Sequence, residues 1–452
     1  MNPPSWKSKE NRLFIVFLIL LHLIYFGVAF FYQNIYNADS PEFLQQAINL
    51  RAEGSLYAYY IDHPYEMRYE TLRPPLYAVF IMFIQFFSQS HFSILLLQNI
   101  LSILGFWYLY KLLLSFNLAR KPLQAIIGLS LVLYPSQLIV SNSIWSDTLF
   151  QLVFFVGFVA LIKFLRHYKL RDWILYNSLL VVGIFIKPVL LFFWVPNLLF
   201  SIFIYVKIKK PIIIPFTLML PIAISLWNYR NYTKTGYSHF SSIQSFNLLK
   251  YNAYRLLIKQ KGVEAADDFV NEVSQQAAKL PSFADQQQYI ADTSISILKA
   301  NLIEYGLIHA RGSINYFLDP GRENLVQFFP VPPSKPIGFF NEWQVNSFSG
   351  ILNYIQNLNP WIFITMLIVF LWNFLVLCSG LIFLFNKKID LSIRIAIFLI
   401  VAYFSAVSGV VGNARYKMSI YLLLIFTLPF TIDMLKVWWI NRRLLTSKNI
   451  NH

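Results

Sequence analysis

The sequence carries little charge for its length. Asp, Glu, Lys and Arg make up 13% of its 452 residues, whereas 57% are hydrophobic and the mean hydropathy is +0.53. A water-soluble domain of this composition would lack polar surface, so the composition predicts an integral membrane protein. The single cysteine, Cys378, excludes an intrachain disulfide. The sequence also lacks a visible internal repeat, and the stretch 230–360 shows no strand pattern or nucleotide-binding fingerprint.

The surplus of basic residues gives a formal net charge of +16. Lys and Arg occur in short clusters between apolar runs, a pattern that reports membrane topology rather than a nucleic-acid-binding surface. The run at 13–32 follows one such cluster, is long enough to cross, and has no small-x-small cleavage site after it. It therefore predicts an uncleaved anchor that enters the membrane from the cytoplasm.

Eleven apolar runs are candidate spans: 13–32, 75–90, 93–115, 122–141, 148–165, 173–187, 188–206, 211–229, 361–385, 391–412 and 416–438. If all of them crossed, the basic clusters at 111–121, 163–171, 207–210 and 387–388 would lie outside. If one early run does not cross, all these clusters lie inside together with both termini, as the positive-inside rule requires.

The run at 75–90 is the one that we expect not to cross. It begins with Pro74-Pro75, contains Gln85, Ser88 and Gln89, and would reach about 24 Å as a helix at 1.5 Å per residue. We predict that it lies in the outer leaflet. The fold class is then an all-α polytopic membrane protein with about ten transmembrane helices, an interfacial helix in the loop after helix 1, and a long outer loop after helix 7.

This topology divides the chain into three parts. Residues 1–229 form a transmembrane module that includes a first outer loop, 33–92. Residues 230–360 form an outer, mainly helical loop or lid, and 361–452 hold the last helices and a cytoplasmic tail. Helix signals predict a first-loop helix from Asp39 or Ser40 to Glu53, stopped at Gly54. Its apolar stripe should lie flat on the membrane and comprises Phe43, Leu44, Ala47, Ile48 and Leu50.

Two further helices are predicted in the second outer loop. One covers 262–280, and the other follows Ser282, which has a capping-box partner in Asp285. The stretch 318–360 is rich in Pro, Asn and Gly and predicts an ordered loop.

Charged residues concentrate at the outer side of this topology. The stretch Asn37–Pro75 holds nine of them, among them Asp39 and Arg73. Asp147, Lys187 and Arg415 lie at the outer ends of later spans. Carboxylates and cations on one face suit the cleavage of a phosphate ester, because a carboxylate can take the acceptor's proton and cations stabilise the departing phosphate.

Several short motifs carry a family resemblance. In chain order they are Asp39-Ser40-Pro41-Glu42-Phe43, Ala47-Ile48-Asn49-Leu50 with Gly54, Arg73-Pro74-Pro75-Leu76-Tyr77, Tyr134-Pro135, Ser146-Asp147-Thr148-Leu149-Phe150, Gly183 with Lys187-Pro188, and Arg415-Tyr416. In this order the chain resembles the GT-C glycosyltransferases, specifically the bacterial branch related to protein O-mannosyltransferases and the aminoarabinose transferase of lipid A. The resemblance covers nearly the whole chain, and the family also has a catalytic loop after span one and a long loop after span seven.

The resemblance implies an inverting glycosyltransferase of a bacterial cytoplasmic (inner) membrane. It would move a sugar from a polyprenyl-phosphate donor to a lipid, glycan or protein acceptor at the extracytoplasmic face. Asp39 would be the base or the acceptor-orienting carboxylate, and Asp147 the second acid. The donor phosphate would be bound by Lys187, Arg415 and Arg73. The candidate pocket residues are Glu42, Tyr77 and Tyr416.

A divalent metal is left open at this point. The family often has two adjacent acids at the first position, whereas here Ser40 follows Asp39, and no Asp-x-Asp pair occurs in the outer loops. If a metal binds, Asp39 and Asp147 are its candidate ligands. His63 could bind one with Asp39 and Glu66, although a solvated loop histidine is the simpler interpretation; His239 and His309 are comparable.

Each site residue also has a structural alternative. Asp39 and Asp147 could be helix caps, and Lys187 and Arg415 could extend to lipid headgroups. Two other functions also fit the overall plan. A surface-polysaccharide polymerase or ligase would use a diphosphate-linked glycan and depend on Arg311 and Arg322. A transporter would need charge near the midplane and repeated or broken helices.

The predicted topology places the connection between the runs 75–90 and 93–115 on the outer side of the membrane. A Ser90→Cys variant should react with a membrane-impermeant thiol reagent added from outside intact cells. Reaction only after the cytoplasmic side is opened to the reagent would contradict the predicted topology.

Overall fold

The computed structural model describes residues 8–330 and 359–450, and within these ranges the chain forms helices and loops without a β-strand. The α-helices are α1 Lys9–Tyr32, α2 Ser40–Glu53, α3 Pro75–Gln85, α4 His91–Leu114, α5 Arg120–Val132, α6 Pro135–Ser141, α7 Asp147–His167, α8 Leu170–Ile186, α9 Trp194–Ile208, α10 Ile213–Thr217, α11 Met219–Thr235, α12 Ile243–Asn247, α13 Tyr254–Lys261, α14 Val263–Ala278, α15 Phe283–Ala300, α16 Leu302–Leu318, α17 Arg322–Phe328, α18 Pro360–Phe383, α19 Leu391–Ser408 and α20 Ala414–Ile450. Short 3-10 helices cover Met67–Glu70 and Pro188–Leu190, and a π-helix covers Leu248–Ala253. The predicted all-α class is confirmed.

Six helices in the described ranges are long and apolar enough to cross a membrane: α1, α4, α7, α18, α19 and α20. A seventh span results if α5 and α6 are counted as one bent unit. The chain is therefore a multi-pass membrane protein. Three of the ten predicted spans correspond to α8, α9 and the α10–α11 pair, which are shorter or interrupted. The count of ten stays a prediction.

Helix α3 forms from the run that we expected not to cross. It has 11 residues, or about 16 Å at 1.5 Å per residue, whereas a membrane core is about 30 Å thick. Pro75 occupies its first turn, where a missing N–H costs nothing. The helix packs between α2 and α8, and it is shorter than the helices that are long enough to cross a membrane.

A sharp bend separates α5 from α6. The two helices meet at 68° where Tyr134 precedes Pro135, because a residue before proline disfavours the helical conformation. Helix α6 and the following turn are buried. The Nε2 atom of Gln98 in α4 donates to the carbonyl oxygens of Ser141 at 3.2 Å and Ser143 at 2.8 Å. The Gln98 side chain thus supplies hydrogen-bond donors to carbonyl groups of irregular backbone between apolar helices. An unpaired carbonyl in such a place would cost free energy.

The first-loop helix α2 begins and ends as predicted. Gly54 ends it with φ at +67°, a conformation that favours glycine. The prediction that its apolar stripe lies flat on the membrane is wrong, because Phe43, Leu44 and Ala47 are buried in the protein core and only Ile48, at 48%, is exposed. Instead, Gln46 and Asn49 face inward, and their amides donate to backbone carbonyls of the segment 56–73. The loop's own backbone therefore covers this face of α2.

Residues 243–328 form the helices α12 to α17, which are joined by short turns. Ser282 caps α15 as predicted, accepting from the Asp285 amide at 3.1 Å. Helix α16 packs against α19 so closely that a Cβ at Gly312 would overlap the Gly409 carbonyl. The Asn315 side chain also donates to the Gly412 carbonyl at 2.5 Å. Most of the predicted loop 318–360, residues 331–358, lies outside the described residues.

Candidate functional site

Six charged side chains from distant parts of the sequence meet in one place, which we call the charge cluster. They are Asp39, Glu42, Arg73, Asp147, Lys187 and Arg415. Asp39 occupies the N-cap position of α2, and Asp147 begins α7. Arg415 lies in the first turn of α20. The structure therefore brings together all five predicted catalytic and phosphate-binding residues and the predicted pocket residue Glu42.

Arg415 joins the two aspartates of the cluster. Its Nη2 atom donates to Asp39 Oδ2 at 2.9 Å, and its Nε atom donates to Asp147 Oδ2 at 3.0 Å. The Nζ atom of Lys187 donates to the other carboxylate oxygen of Asp147. Asp147 therefore holds two cations that come from different helices.

Arg73 extends this network toward α2. Its Nη2 atom donates to Asp39 Oδ1 at 2.8 Å, and its Nε atom donates to Glu42 Oε2 at 2.6 Å. The cluster is thus a row of alternating charges with three carboxylates and three cations, and its formal charge is zero. Alternation of this kind offsets the cost of removing charges from water.

The cluster is sealed at one end and open at the other. The Asp147 side chain is 0% exposed, whereas those of Asp39 and Glu42 are 23% and 26% exposed. The three cations lie between these extremes, at 12–17%. A ligand can therefore reach Asp39 and Glu42 directly, while Asp147 can act only through the cations that it binds.

The two accessible carboxylates differ in their acidity. Burial raises the pKa of Asp39, but the charges and hydrogen bonds of Arg73 and Arg415 outweigh burial and lower it to about 2. Burial raises the pKa of Glu42 above its ordinary value, Asp39 adds to the rise, and Arg73 opposes it without cancelling it. Asp39 is consequently ionised at any ordinary pH, and Glu42 is the more basic of the two groups.

The helix-cap and headgroup alternatives are wrong. Neither the N-cap residue Asp39 of α2 nor Ser146 before α7 makes a side-chain capping bond, and the carboxylates of Asp39 and Asp147 bind cations instead. The Arg415 and Lys187 side chains point into this network rather than toward lipid headgroups. The sequence around Asp39 and Asp147 is compatible with helix capping. However, both carboxylates instead form ion pairs with cations that are distant in the sequence.

Aromatic rings flank the cations. The Arg415 guanidinium carbon lies 3.9 Å from the ring centroid of Trp145, and Lys187 Nζ lies 5.3 Å from that of Tyr416. Such contacts stabilise a cation without neutralising it. Tyr416, a predicted pocket residue, therefore lies beside the charge cluster. Tyr77 is fully buried and donates to Gln98 Oε1 at 2.8 Å, so it joins α3 to α4 and is closed to a ligand.

Asp319 and its neighbours position the start of α20. This role was not predicted from the sequence. One Asp319 oxygen accepts from the Ala414 amide at 2.6 Å. The Lys417 Nζ atom donates to the Phe317 carbonyl at 2.8 Å, and the Asn413 side chain donates to Glu323 at 3.0 Å. Residues 317–323 thus fix the turn that presents Arg415. The sequence offered one signal, an acidic residue in the Asp319-Pro320-Gly321 turn.

The donor set does not fit a divalent metal at Asp39 and Asp147. All four of their carboxylate oxygens already accept from cationic side chains. In the described part of the chain no group of three or more His, Cys, Asp or Glu is arranged to hold a metal. His63 is exposed and stacks near Tyr59 and Tyr60. His239 is buried and pairs with Thr71 Oγ1 at 2.7 Å.

The remaining predicted residues lie elsewhere. Arg311 is exposed on α16, and Arg322 is the first residue of α17. His309 also lies on α16, and its ring is next to Gly409, which directly follows α19. Arg311, Arg322 and His309 are therefore not members of the charge cluster.

Fold and site together define a multi-pass all-α membrane protein with a charge-balanced cluster at one end of its helices. The chain matches no protein-family model, and a search of curated protein sequences finds no match. The GT-C resemblance accordingly stays a hypothesis that rests on the motifs themselves.

The sealed position of Asp147 leads to a stability prediction. In an Asp147→Asn variant, Lys187 and Arg415 lose their buried counter-charge, so the free energy of unfolding should fall by about 3–5 kcal/mol. Denaturation of the purified protein in detergent measures this change. Asp433→Asn is the matched control, because its ion pair with Lys388 is exposed and should contribute at most about 1 kcal/mol. Equal stability of the two variants would contradict the anchoring role of Asp147.

Proposed function

We propose that the protein is a membrane glycosyltransferase that moves a sugar from a polyprenyl-phosphate donor to an acceptor hydroxyl. One observation carries the proposal: accessible carboxylates and recessed cations are joined in one cluster at an end of the helices. A group transfer that releases a phosphate needs a carboxylate near the nucleophile and cations near the leaving group.

The cations suit the leaving group. The guanidinium groups of Arg73 and Arg415 match phosphate oxygens in a bidentate geometry, and Lys187 adds a point charge. Because each cation is at most 17% exposed, its attraction for a phosphate is less screened than it would be on the surface. A donor phosphate would compete with the carboxylates for these cations, since the cluster is already neutral.

The carboxylates suit the acceptor. With a pKa near 2, Asp39 is too weak a base to remove a proton efficiently but can orient a hydroxyl as a hydrogen-bond acceptor. Glu42, whose pKa is raised, is the better proton acceptor. In the transfer step the acceptor oxygen bonds to the anomeric carbon. The bond from that carbon to the phosphate oxygen breaks, its electron pair leaves with the polyprenyl phosphate, and the hydroxyl proton passes to Glu42.

The surroundings of α3 support a lipid-linked donor. This helix starts two residues after Arg73, and Phe83, Phe86 and Phe87 near its end are 59%, 61% and 78% exposed. Exposed aromatic side chains at the end of a short apolar helix are suited to contact with lipid. A polyprenyl chain could thus lie along α3 with its phosphate at the cluster.

The charge distribution supports an extracytoplasmic site. Arg166 lies in the last turn of α7, which begins with Asp147 at the cluster. Lys207, in the last turn of α9, pairs with Asp390 at the start of α19, and Lys388, in the loop between α18 and α19, pairs with Asp433 within α20. The end opposite the cluster therefore holds the basic loops, which the positive-inside rule assigns to the cytoplasm.

The function is tested by transfer from a panel of polyprenyl-phosphate sugars, with products detected by mass spectrometry. An Asp39→Asn variant should lose about 100-fold or more in rate, because the acceptor is no longer oriented by a charge. An Asp62→Asn variant, with an exposed carboxylate of the same loop, should transfer at the wild-type rate. Full activity of Asp39→Asn would contradict the assignment, and transfer only from a diphosphate-linked glycan would favour the polymerase or ligase alternative.

The raised pKa of Glu42 predicts the pH dependence of transfer. Protonated Glu42 cannot accept the proton, so the rate should rise with pH through the pKa of Glu42, which lies above its ordinary value of 4.5. Asp39 stays ionised over this range and cannot cause the rise. A Glu42→Gln variant should have a lower rate that no longer increases in the acid limb. An unchanged acid limb in that variant would assign the titration to another group.

A further inference from the structure

Five tyrosines in the segment between α2 and α3 form an aromatic surface that the mechanism proposed above does not use. We call it the tyrosine surface, and its members are Tyr57, Tyr59, Tyr60, Tyr65 and Tyr69. Tyr65 stacks on Tyr57 with ring centroids 5.2 Å apart, and Tyr59 stacks on Tyr69 with centroids 4.6 Å apart. Tyr60 meets Tyr59 edge to face at 5.2 Å. The five rings therefore support one another as a single unit.

The tyrosine surface has a buried base and an accessible top. Tyr57 and Tyr69 are buried, whereas Tyr60 is 46% exposed and Tyr65 is 60% exposed although one face of its ring lies on Tyr57. The Tyr57 hydroxyl accepts from the Glu66 amide at 2.9 Å, which fixes the base. Because the exposed rings rest on fixed ones, a ligand that covers them orders few side chains and so loses little entropy.

Helix α2 carries both the tyrosine surface and the accessible carboxylates of the charge cluster. The Asn49 side chain donates to the carbonyl oxygens of Tyr57 and Tyr59, each at 2.7 Å. Asn49 follows Glu42 by seven residues, which is about 10 Å along the helix at 1.5 Å per residue. The base of the tyrosine surface is therefore fixed about two helical turns from the proposed proton acceptor.

An ion pair lies between the tyrosine surface and Glu42. The Arg68 guanidinium carbon is 4.5 Å from the ring centroid of Tyr69, and its Nε atom pairs with Glu66 at 2.8 Å. Both charged side chains are about half exposed, at 49% and 50%. Burial raises the pKa of Glu42, and the charge of Arg68 is among those that oppose the rise. A ligand on the tyrosines thus has donors and acceptors beside it on the way to the carboxylate.

We infer that the tyrosine surface binds the acceptor and that the acceptor is a saccharide chain, an inference that rests on the proposed function. A sugar ring has C–H groups on its faces, which suit the electron-rich face of a tyrosine ring. It has hydroxyls on its edge, which both donate and accept hydrogen bonds and so match Arg68 and Glu66. Lipid acyl chains fit this surface less well, because a charged pair among them is costly. One sugar unit can lie on the tyrosines while a hydroxyl of a neighbouring unit lies at Glu42.

The test is calorimetric titration of the purified full-length protein, without a donor, in a detergent that has no sugar headgroup. The probes are linear tetrasaccharides of glucose, galactose, mannose and N-acetylglucosamine, and the wild-type protein should bind at least one of them. Tyr65→Ala should weaken that binding by about two- to tenfold, the range for one aromatic contact. Tyr65→Phe keeps the ring and should bind as the wild type does. Tyr205→Ala is the matched control, because Tyr205 is 40% exposed in the last turn of α9, beside Lys207.

A Tyr60→Ala variant tests the same surface at a second exposed ring, in case Tyr65→Ala does not fold. Binding that both alanine variants retain in full would overturn the inference, because the saccharide would then lie elsewhere. Binding of no tetrasaccharide by the wild-type protein would also overturn it. If sugar is nevertheless transferred to a lipid or a peptide, the proposed function stands and only the acceptor class is wrong. Saccharide binding that depends on the tyrosines, without transfer from any polyprenyl-phosphate sugar, would support the surface and refute the proposed function.

Discussion

The pairing of buried Asp147 with Lys187 and Arg415 is the constraint on which the site depends. A carboxylate that is closed to solvent is tolerated only if cations and hydrogen bonds replace its water. Here the two cations come from the end of α8 and the start of α20, while Asp147 begins α7. The ends of these three helices are therefore held together by ion pairs. Arg415 also donates from its Nη2 atom to Asp39.

The same constraint divides the acids into two kinds. Asp147 sets the position of the cations but cannot touch a ligand, whereas Asp39 and Glu42 lie at the open end. In the proposed mechanism a donor phosphate draws Arg73 and Arg415 partly away from Asp39. Arg73 also opposes the rise in the pKa of Glu42, so drawing Arg73 away would make Glu42, the proposed proton acceptor, more basic. Occupation of the phosphate position and readiness for proton transfer would then be coupled.

Much of this arrangement was predictable from the sequence, for a physical reason. In an apolar chain the few charged residues must lie where water or a partner reaches them, so their predicted position at one end of the helices, together with the short motifs, grouped Arg73, Asp147, Lys187 and Arg415. Local spacing could not separate a helix cap from an ion pair at Asp39, because the deciding partner, Arg415, is 376 residues away. The membrane-facing side of α2 was predicted wrongly for a related reason: the amides of Gln46 and Asn49 bond to backbone carbonyls of a loop whose path cannot be read from the spacing of apolar residues.

Arg415 is also the point where two distant segments, 33–92 and 230–330, meet. Asp39 reaches it from the first segment, and Asp319 of the second holds the Ala414 amide immediately before it. The loop carrying Trp145 supplies the ring beneath the guanidinium, and Gln98 supports that loop from within α4. An arginine fixed by four separate segments can hold its geometry only when all four are packed. The cluster is therefore a property of the assembled helices, and polar side chains within apolar helices, such as Gln98, are as necessary to it as the charges.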